Sequence, residues 1–210
     1  MAWRYDVKWF KAKYDMDKEM FSFYKEALLN NLCDEYKGYW KSAGEDKEKL
    51  VSLCLAQQSI PFFASYCYWN KGLSKEYILK EFADYVNGRE LYDCDGVHGY
   101  TYGLFVDHHA NVMPLKVDIS HFIWCEGITI EVEETKCPTI YVSNTSNIHL
   151  VCGGYNNIRI MLFDDSTIHL DDVDDESTIR VFRYSEKANV IQEKYCLSND
   201  IKVFDKELRL

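Results

Sequence analysis

The sequence predicts an α+β protein, with an N-terminal α-helical region followed by a C-terminal β-solenoid whose two-arc coils are about 20 residues long. Three observations carry this expectation: helical spacing of apolar residues in the first part, a returning strand phrase in the last, and turn-forming residues between the phrases. The boundaries that follow are 1–92 for an α-helical region, 93–126 for a mixed junction and 127–210 for the solenoid.

In the first part, Met20, Phe23, Tyr24, Ala27, Leu28 and Leu32 recur at helical intervals between Asp15 and about Lys41. Leu50, Leu53, Cys54 and Leu55 repeat the pattern from Glu45 to Gln58, and Pro61 interrupts it because proline lacks the N–H a helix interior requires. Ser74 is a natural N-cap for a further helix through Tyr77, Ile78, Phe82 and Tyr85, which Asn87-Gly88 ends. The junction carries Gly96, Gly99 and Gly103 and a strand-like stretch from Tyr102 to Val106.

From Gly127 onward the phrase apolar–polar–apolar returns as Ile128-Thr129-Ile130, Ile148-His149-Leu150, Ile158-Arg159-Ile160, Ile168-His169-Leu170, Ile179-Arg180-Val181 and Ile201-Lys202-Val203. Second neighbours resemble each other more than first neighbours do. Ser146-Asn147-Ile148-His149-Leu150 returns 20 residues later as Ser166-Thr167-Ile168-His169-Leu170, and Asn157-Ile158-Arg159-Ile160 returns 21 later as Thr178-Ile179-Arg180-Val181. A strand turns alternate side chains to opposite faces, so the outer residues of each phrase point inward and the middle one points out. Stacked coils then align His149 with His169 on one side and Arg159 with Arg180 on the other. An antiparallel meander is the competing arrangement, and it pairs neighbouring phrases instead. Gly153-Gly154, Asn156-Asn157, Asp164-Asp165, Asp174-Asp175 and Ser198-Asn199-Asp200 supply the corners, being residues that reach or tolerate positive φ. Thr139-Ile140-Tyr141-Val142 stands off the ten-residue grid behind Cys137-Pro138 and reads as an entry coil with a bulge or corner.

Composition limits the function classes. With 47% hydrophobic residues in 210, the chain can bury a real core, and no run of about 18 apolar residues is present to span a membrane. The N-terminal Met1-Ala2-Trp3-Arg4-Tyr5-Asp6 has no apolar stretch of the secretory kind, so synthesis in the cytosol is expected. A net charge of −10 opposes nonspecific binding to nucleic acid. Arg159, Arg180 and Lys202 form the one basic side, readable as a binding face or as a solvated edge that resists aggregation.

Chemistry-bearing motifs are sparse. The eight cysteines include no C-x-x-C pair, and reduced thiols without a disulfide framework are expected. His108, His109, His121, Cys125 and Cys137 are the cluster considered for zinc, without a motif spacing to support it, and no metal or other cofactor is assigned. Asp164-Asp165, Asp171-Asp172 and Asp174-Asp175-Glu176 crowd carboxylates at the corners, as a calcium site or as a solvated acidic rim. The sequence contains no G-x-S-x-G, P-loop, G-x-G-x-x-G or H-E-x-x-H motif, and a non-enzymatic protein is expected. His98, His108 and His109 in the junction are the residues an enzyme would use. Sixteen tyrosines and five tryptophans make the chain aromatic, and the local concentration at Tyr66, Tyr68 and Trp69 is the candidate interaction surface, beside Arg159 and Arg180.

The stretch Cys94-Asp95-Gly96-Val97-His98-Gly99-Tyr100-Thr101-Tyr102-Gly103-Leu104-Phe105-Val106-Asp107, with Thr135-Lys136-Cys137-Pro138-Thr139-Ile140-Tyr141-Val142-Ser143-Asn144, Val151-Cys152-Gly153-Gly154-Tyr155-Asn156-Asn157 and the closing Lys202-Val203-Phe204-Asp205-Lys206-Glu207-Leu208-Arg209-Leu210, resembles proteins of tailed bacteriophages of gut Bacteroides, including the crAss-like group. The resemblance covers most of the chain from Ser59-Ile60-Pro61 onward and brings no active site with it. It implies a virion component made in the host cytoplasm, such as a head or tail fibre or a decoration or adhesion protein. Its expected partners are other virion proteins and copies of itself in a homo-oligomer, with no nucleic acid and no membrane. An intracellular phage factor that binds a host protein is the alternative, and a small enzyme using the junction histidines a third.

Overall fold

In the computed structural model, residues 34–55, 74–86, 90–93 and 101–206 are described. Among these residues four short helices come first: α1 (Asp34–Ala43), α2 (Lys47–Leu55), α3 (Lys75–Glu81) and α4 (Ala83–Val86). Eleven strands follow: β1 (Glu90–Asp93), β2 (Tyr102–Val106), β3 (Ile119–Ile123), β4 (Glu126–Val132), β5 (Thr139–Ser143), β6 (Asn147–Cys152), β7 (Asn157–Leu162), β8 (Thr167–Val173), β9 (Thr178–Arg183), β10 (Asn189–Cys196) and β11 (Asp200–Asp205). The expected helix from Asp15 lies outside the described residues except for its last part, and Pro61, Tyr66, Tyr68, Trp69 and His98 lie outside them altogether.

Ser74 caps α3 as expected, its Oγ accepting a hydrogen bond from the Tyr77 N–H at 3.1 Å. The helix does not run on unbroken through Tyr85. Phe82 departs from helical geometry, and α4 restarts behind it, with Ile78, Phe82 and Val86 buried.

The C-terminal part is a β-solenoid of about five turns with about 20-residue spacing. Strands alternate between two sheets as the chain winds. The longer sheet has the order β1-β2-β3-β5-β7-β9-β11 and the shorter β10-β8-β6-β4. From β2 to β11 every pairing in the longer sheet is parallel, as is every pairing in the shorter one, so the meander is excluded. Ile148 pairs with Ile168, His149 with His169, and Arg159 with Arg180. Among the described strands only β1 runs antiparallel, against β2 at the ladder's first edge.

The ladder also takes in β2 and β3, in the stretch read from sequence as a mixed junction. Thr139–Ser143 is accordingly an interior rung, not an entry coil: β5 lies between β3 and β7, and Thr139 pairs with Arg159. Pro138 stands just ahead of it, and its carbonyl still accepts a hydrogen bond from the Arg159 N–H at 3.0 Å. A missing N–H is harmless where only an acceptor is needed.

Each inward position forms a column. Ile128, Ile148 and Ile168 stack in the shorter sheet, as do Ile130, Leu150 and Leu170. In the longer sheet Ile140, Ile160, Val181 and Val203 stack, and the first three are fully buried. Corners are stitched from one coil to the next. Asp164 Oδ2 accepts from the Asn144 N–H at 3.0 Å, Asp174 Oδ2 from the Gly154 N–H at 3.1 Å, and Asn156 Oδ1 from the Lys136 N–H at 2.9 Å. Buried serines do the same inside: Ser146 Oγ accepts from the Cys125 N–H, while Ser177 Oγ donates to the Gly154 carbonyl at 2.7 Å. Corner groups that turns leave without a ladder partner thus find one a coil away.

Candidate binding surfaces of the solenoid

Alternation leaves three surfaces on which side chains of the described rungs converge. The first is the outer face of the longer sheet. Arg159, Arg180 and Lys202 align there, rung over rung. Arg180 is engaged from below by Asp200, with Nη1–Oδ1 and Nη2–Oδ2 both at 3.3 Å, and Lys202 reaches the same carboxylate at 3.3 Å. Arg180, with Thr178 and Lys202 behind it, holds the Asp200 carboxyl below its ordinary range. Asp200 thus pairs with two of the three cations on this side. Next to it runs an aromatic column: Tyr141 and Phe163 stack at 6.4 Å, and Phe163 and Tyr184 at 4.9 Å with an interplanar angle of 5°. Burial pushes the Tyr141 hydroxyl up from its usual range.

The second surface is the outer face of the shorter sheet. His149 and His169, brought together as the repeat predicts, stack with ring centroids 4.4 Å apart and planes within 14°. Each is held from the next rung: His149 Nδ1–H donates to Asp171 Oδ2 at 2.9 Å, and His169 Nδ1–H to Glu193 Oε1 at 3.1 Å. Both carboxylates sit at irregularities in the ladder. Leu150 pairs with Leu170 but Val151 with Asp172, so Asp171 is an extra residue in β8, and β10 shifts again between Gln192 and Tyr195, around Glu193. Bulges re-aim side chains, and here two in succession set a carboxylate against each imidazole. Sequence alone aligned the histidines and named Asp171 only among the acidic corners; it missed Glu193 and the placing of either carboxylate against an imidazole, because a bulge has no marker in a strict period-2 reading.

The third surface is the last rung. β10 and β11 stand at the ends of their sheets. Their inward positions are only partly covered: Val203 is 43% exposed and Val190, Cys196 and Ile201 are half-buried against the core, while the outward-facing Ile191, Tyr195 and Phe204, with Leu197 beyond β10, are exposed. At the other end both sheets are covered. β1 lies on β2, α2 packs against both, and the segment around Val112 bonds to β4 through Val112 N–H to Thr129 O at 2.8 Å and Glu131 N–H to Val112 O at 3.0 Å.

The histidine and cysteine cluster considered for zinc does not assemble. His121 is fully buried against Ser143, its Nε2 2.9 Å from Oγ, and burial drives its pKa down to about 3. Cys125 points its thiol at the Phe105 carbonyl at 3.3 Å and is raised by burial to about 11. His108 is buried beside Phe105, while His109 and Cys137 are exposed. Cys125, Cys137, Cys152 and Cys196 are all free. Asp164 and Asp174, proposed above as calcium ligands, are occupied by the coil-to-coil bonds already described. Desolvation raises Asp164, whereas the Gly154 N–H lowers Asp174.

Among the described residues, no helix is long and apolar enough to cross a membrane. No family model, no curated protein and no solved structure matches the chain.

Proposed function

We propose that this chain is a non-enzymatic structural protein of a phage particle, a fibre, decoration or adhesion component, that assembles with copies of itself. In this reading the helical region attaches the protein and the solenoid serves as shaft and display surface. The observation that carries it is the unsealed last rung. An exposed strand edge beside exposed apolar side chains is a ready template for another chain, and Val203 and Phe204 on β11, Tyr195 on β10 and Leu197 just beyond it supply those side chains. The opposite end is covered, so contact through this rung brings two like ends together and closes at a pair of copies. Long parallel ladders and coil-to-coil side-chain bonds suit a load-bearing element.

Light scattering of the purified protein tests the assembly, with a paired mass expected for the native chain and the monomer mass for Val203→Lys/Phe204→Lys. A native chain that stays monomeric at high concentration ends the assembly reading. Mass spectrometry of purified particles tests the setting. Many copies per particle are expected, and absence from particles favours the intracellular factor that binds a host protein.

A further inference from the structure

We propose that His149, His169 and Asp171 form a site for a divalent transition-metal ion of the zinc class, with Glu193 positioning His169. Each of the three offers one ligand atom, and the three atoms lie within 4.8 Å of one another. A tetrahedral ion with bonds of about 2.0–2.1 Å spaces its ligands about 3.4 Å apart. Closing the difference, about 1.4 Å at most, requires the side chains to rotate and the stacked rings to open, so that each imidazole turns a nitrogen lone pair in its own plane toward the ion. The His149 Nδ1 and Asp171 Oδ2 atoms are already 2.9 Å apart, sharing a proton where the ion would sit. Ligation through Nδ1 therefore moves the ring proton to Nε2, which leaves the neutral imidazole that a metal requires.

A second observation points the same way. The other carboxylate oxygen of Asp171, Oδ1, is shielded from solvent and has no hydrogen-bond partner. A shielded acceptor without a donor is one that an ion can satisfy. Asp171 is also the extra residue of the β8 bulge, so the ladder is broken where this carboxylate is presented. His149 and His169 are half-buried, with side chains 30% and 17% exposed, which restricts their rotamers while leaving an approach from solvent. Glu193 accepts from His169 Nδ1–H, the outer-shell arrangement that fixes a ligating imidazole's tautomer and orientation. Imidazole with carboxylate selects zinc, copper or nickel over calcium, and three protein ligands leave a fourth position to water.

Calorimetric titration of the full chain with Zn²⁺ tests the site. One equivalent per chain is expected, with binding abolished in His149→Ala/His169→Ala and weakened about 10-fold or more in Glu193→Gln. Undiminished uptake by the folded double variant overturns the proposal. Co²⁺ added to the native chain gives a check that needs no variant: an intense visible tetrahedral spectrum without a thiolate charge-transfer band supports the site. A thiolate band traces the metal to a cysteine, and a weak octahedral spectrum leaves only loosely held ion; either result sinks the assignment.

Discussion

Val181 and Val203 occupy the same inward column one rung apart, so valine-to-alanine at each position isolates the effect of a covering rung. Val181 is fully buried, between Ile160 and Val203. Removing its two outer carbons forfeits about 1.6 kcal/mol at about 0.8 kcal/mol per CH₂. Neighbours fixed in ladders collapse little, and a residual cavity of about 40 Å³ adds about 1 kcal/mol. Val181→Ala is therefore expected to cost about 2–3 kcal/mol. At Val203, 43% exposed, roughly half of the transfer term remains and no closed cavity forms, so Val203→Ala costs below about 1 kcal/mol. Urea unfolding followed by circular dichroism measures both, and unchanged m-values confirm that the folded and unfolded states stayed comparable. Equal losses, or a larger loss at Val203, refute an unsealed last rung and with it the basis for assembly there.

Two further outcomes follow from the corners and the buried polar groups. Gly154 sits at φ +70°, where an added Cβ falls 2.5 Å from Glu134 Cγ, whereas Gly153 faces open space; Gly154→Ala should cost about 1–2 kcal/mol and Gly153→Ala little, by thermal melting. His121 is neutral in the folded protein down to about pH 3 but protonates near pH 6.5 when unfolded, so the unfolded state binds more protons in that window. Its contribution is complete above about pH 6.5 and is lost as the pH falls towards 3. His121→Gln should flatten the stability–pH curve there, by a difference on the order of 5 kcal/mol across the window; an unchanged slope in urea titrations at several pH values counts against burial of the neutral ring.

The repeat made the solenoid legible because inward columns demand like residues at like heights: Ile148 over Ile168 could be paired on paper, and is paired in space. What escaped was set by non-periodic features. β10 carries Val190-Ile191-Gln192, with Gln192 opposite Leu170, so the apolar phrase fails at a rung that has little left to cover. β2 is buried at all five positions, and a strand covered on both faces shows no alternation to read. Thr139 looked out of register because the arcs are unequal; counted rung to rung, its partner Arg159 is 20 residues on. At the candidate metal site the periodic half, His149 and His169, was visible, while Asp171 and Glu193 depend on bulges that only the folded ladder reveals. The interaction residues Arg159 and Arg180 do align, but Asp200, from the following rung, neutralises Arg180, a long-range pairing that composition does not disclose.

Cross-strand nuclear Overhauser contacts on isotope-labelled protein probe the in-register stacking most directly, since paired strands lie about 4.8 Å apart. Backbone contacts should join Ile148 to Ile168 and Ile158 to Ile179. Contacts joining Ile148 to Ile158 in an antiparallel pair would contradict the solenoid, and the unsealed rung and the histidine site would fall with it.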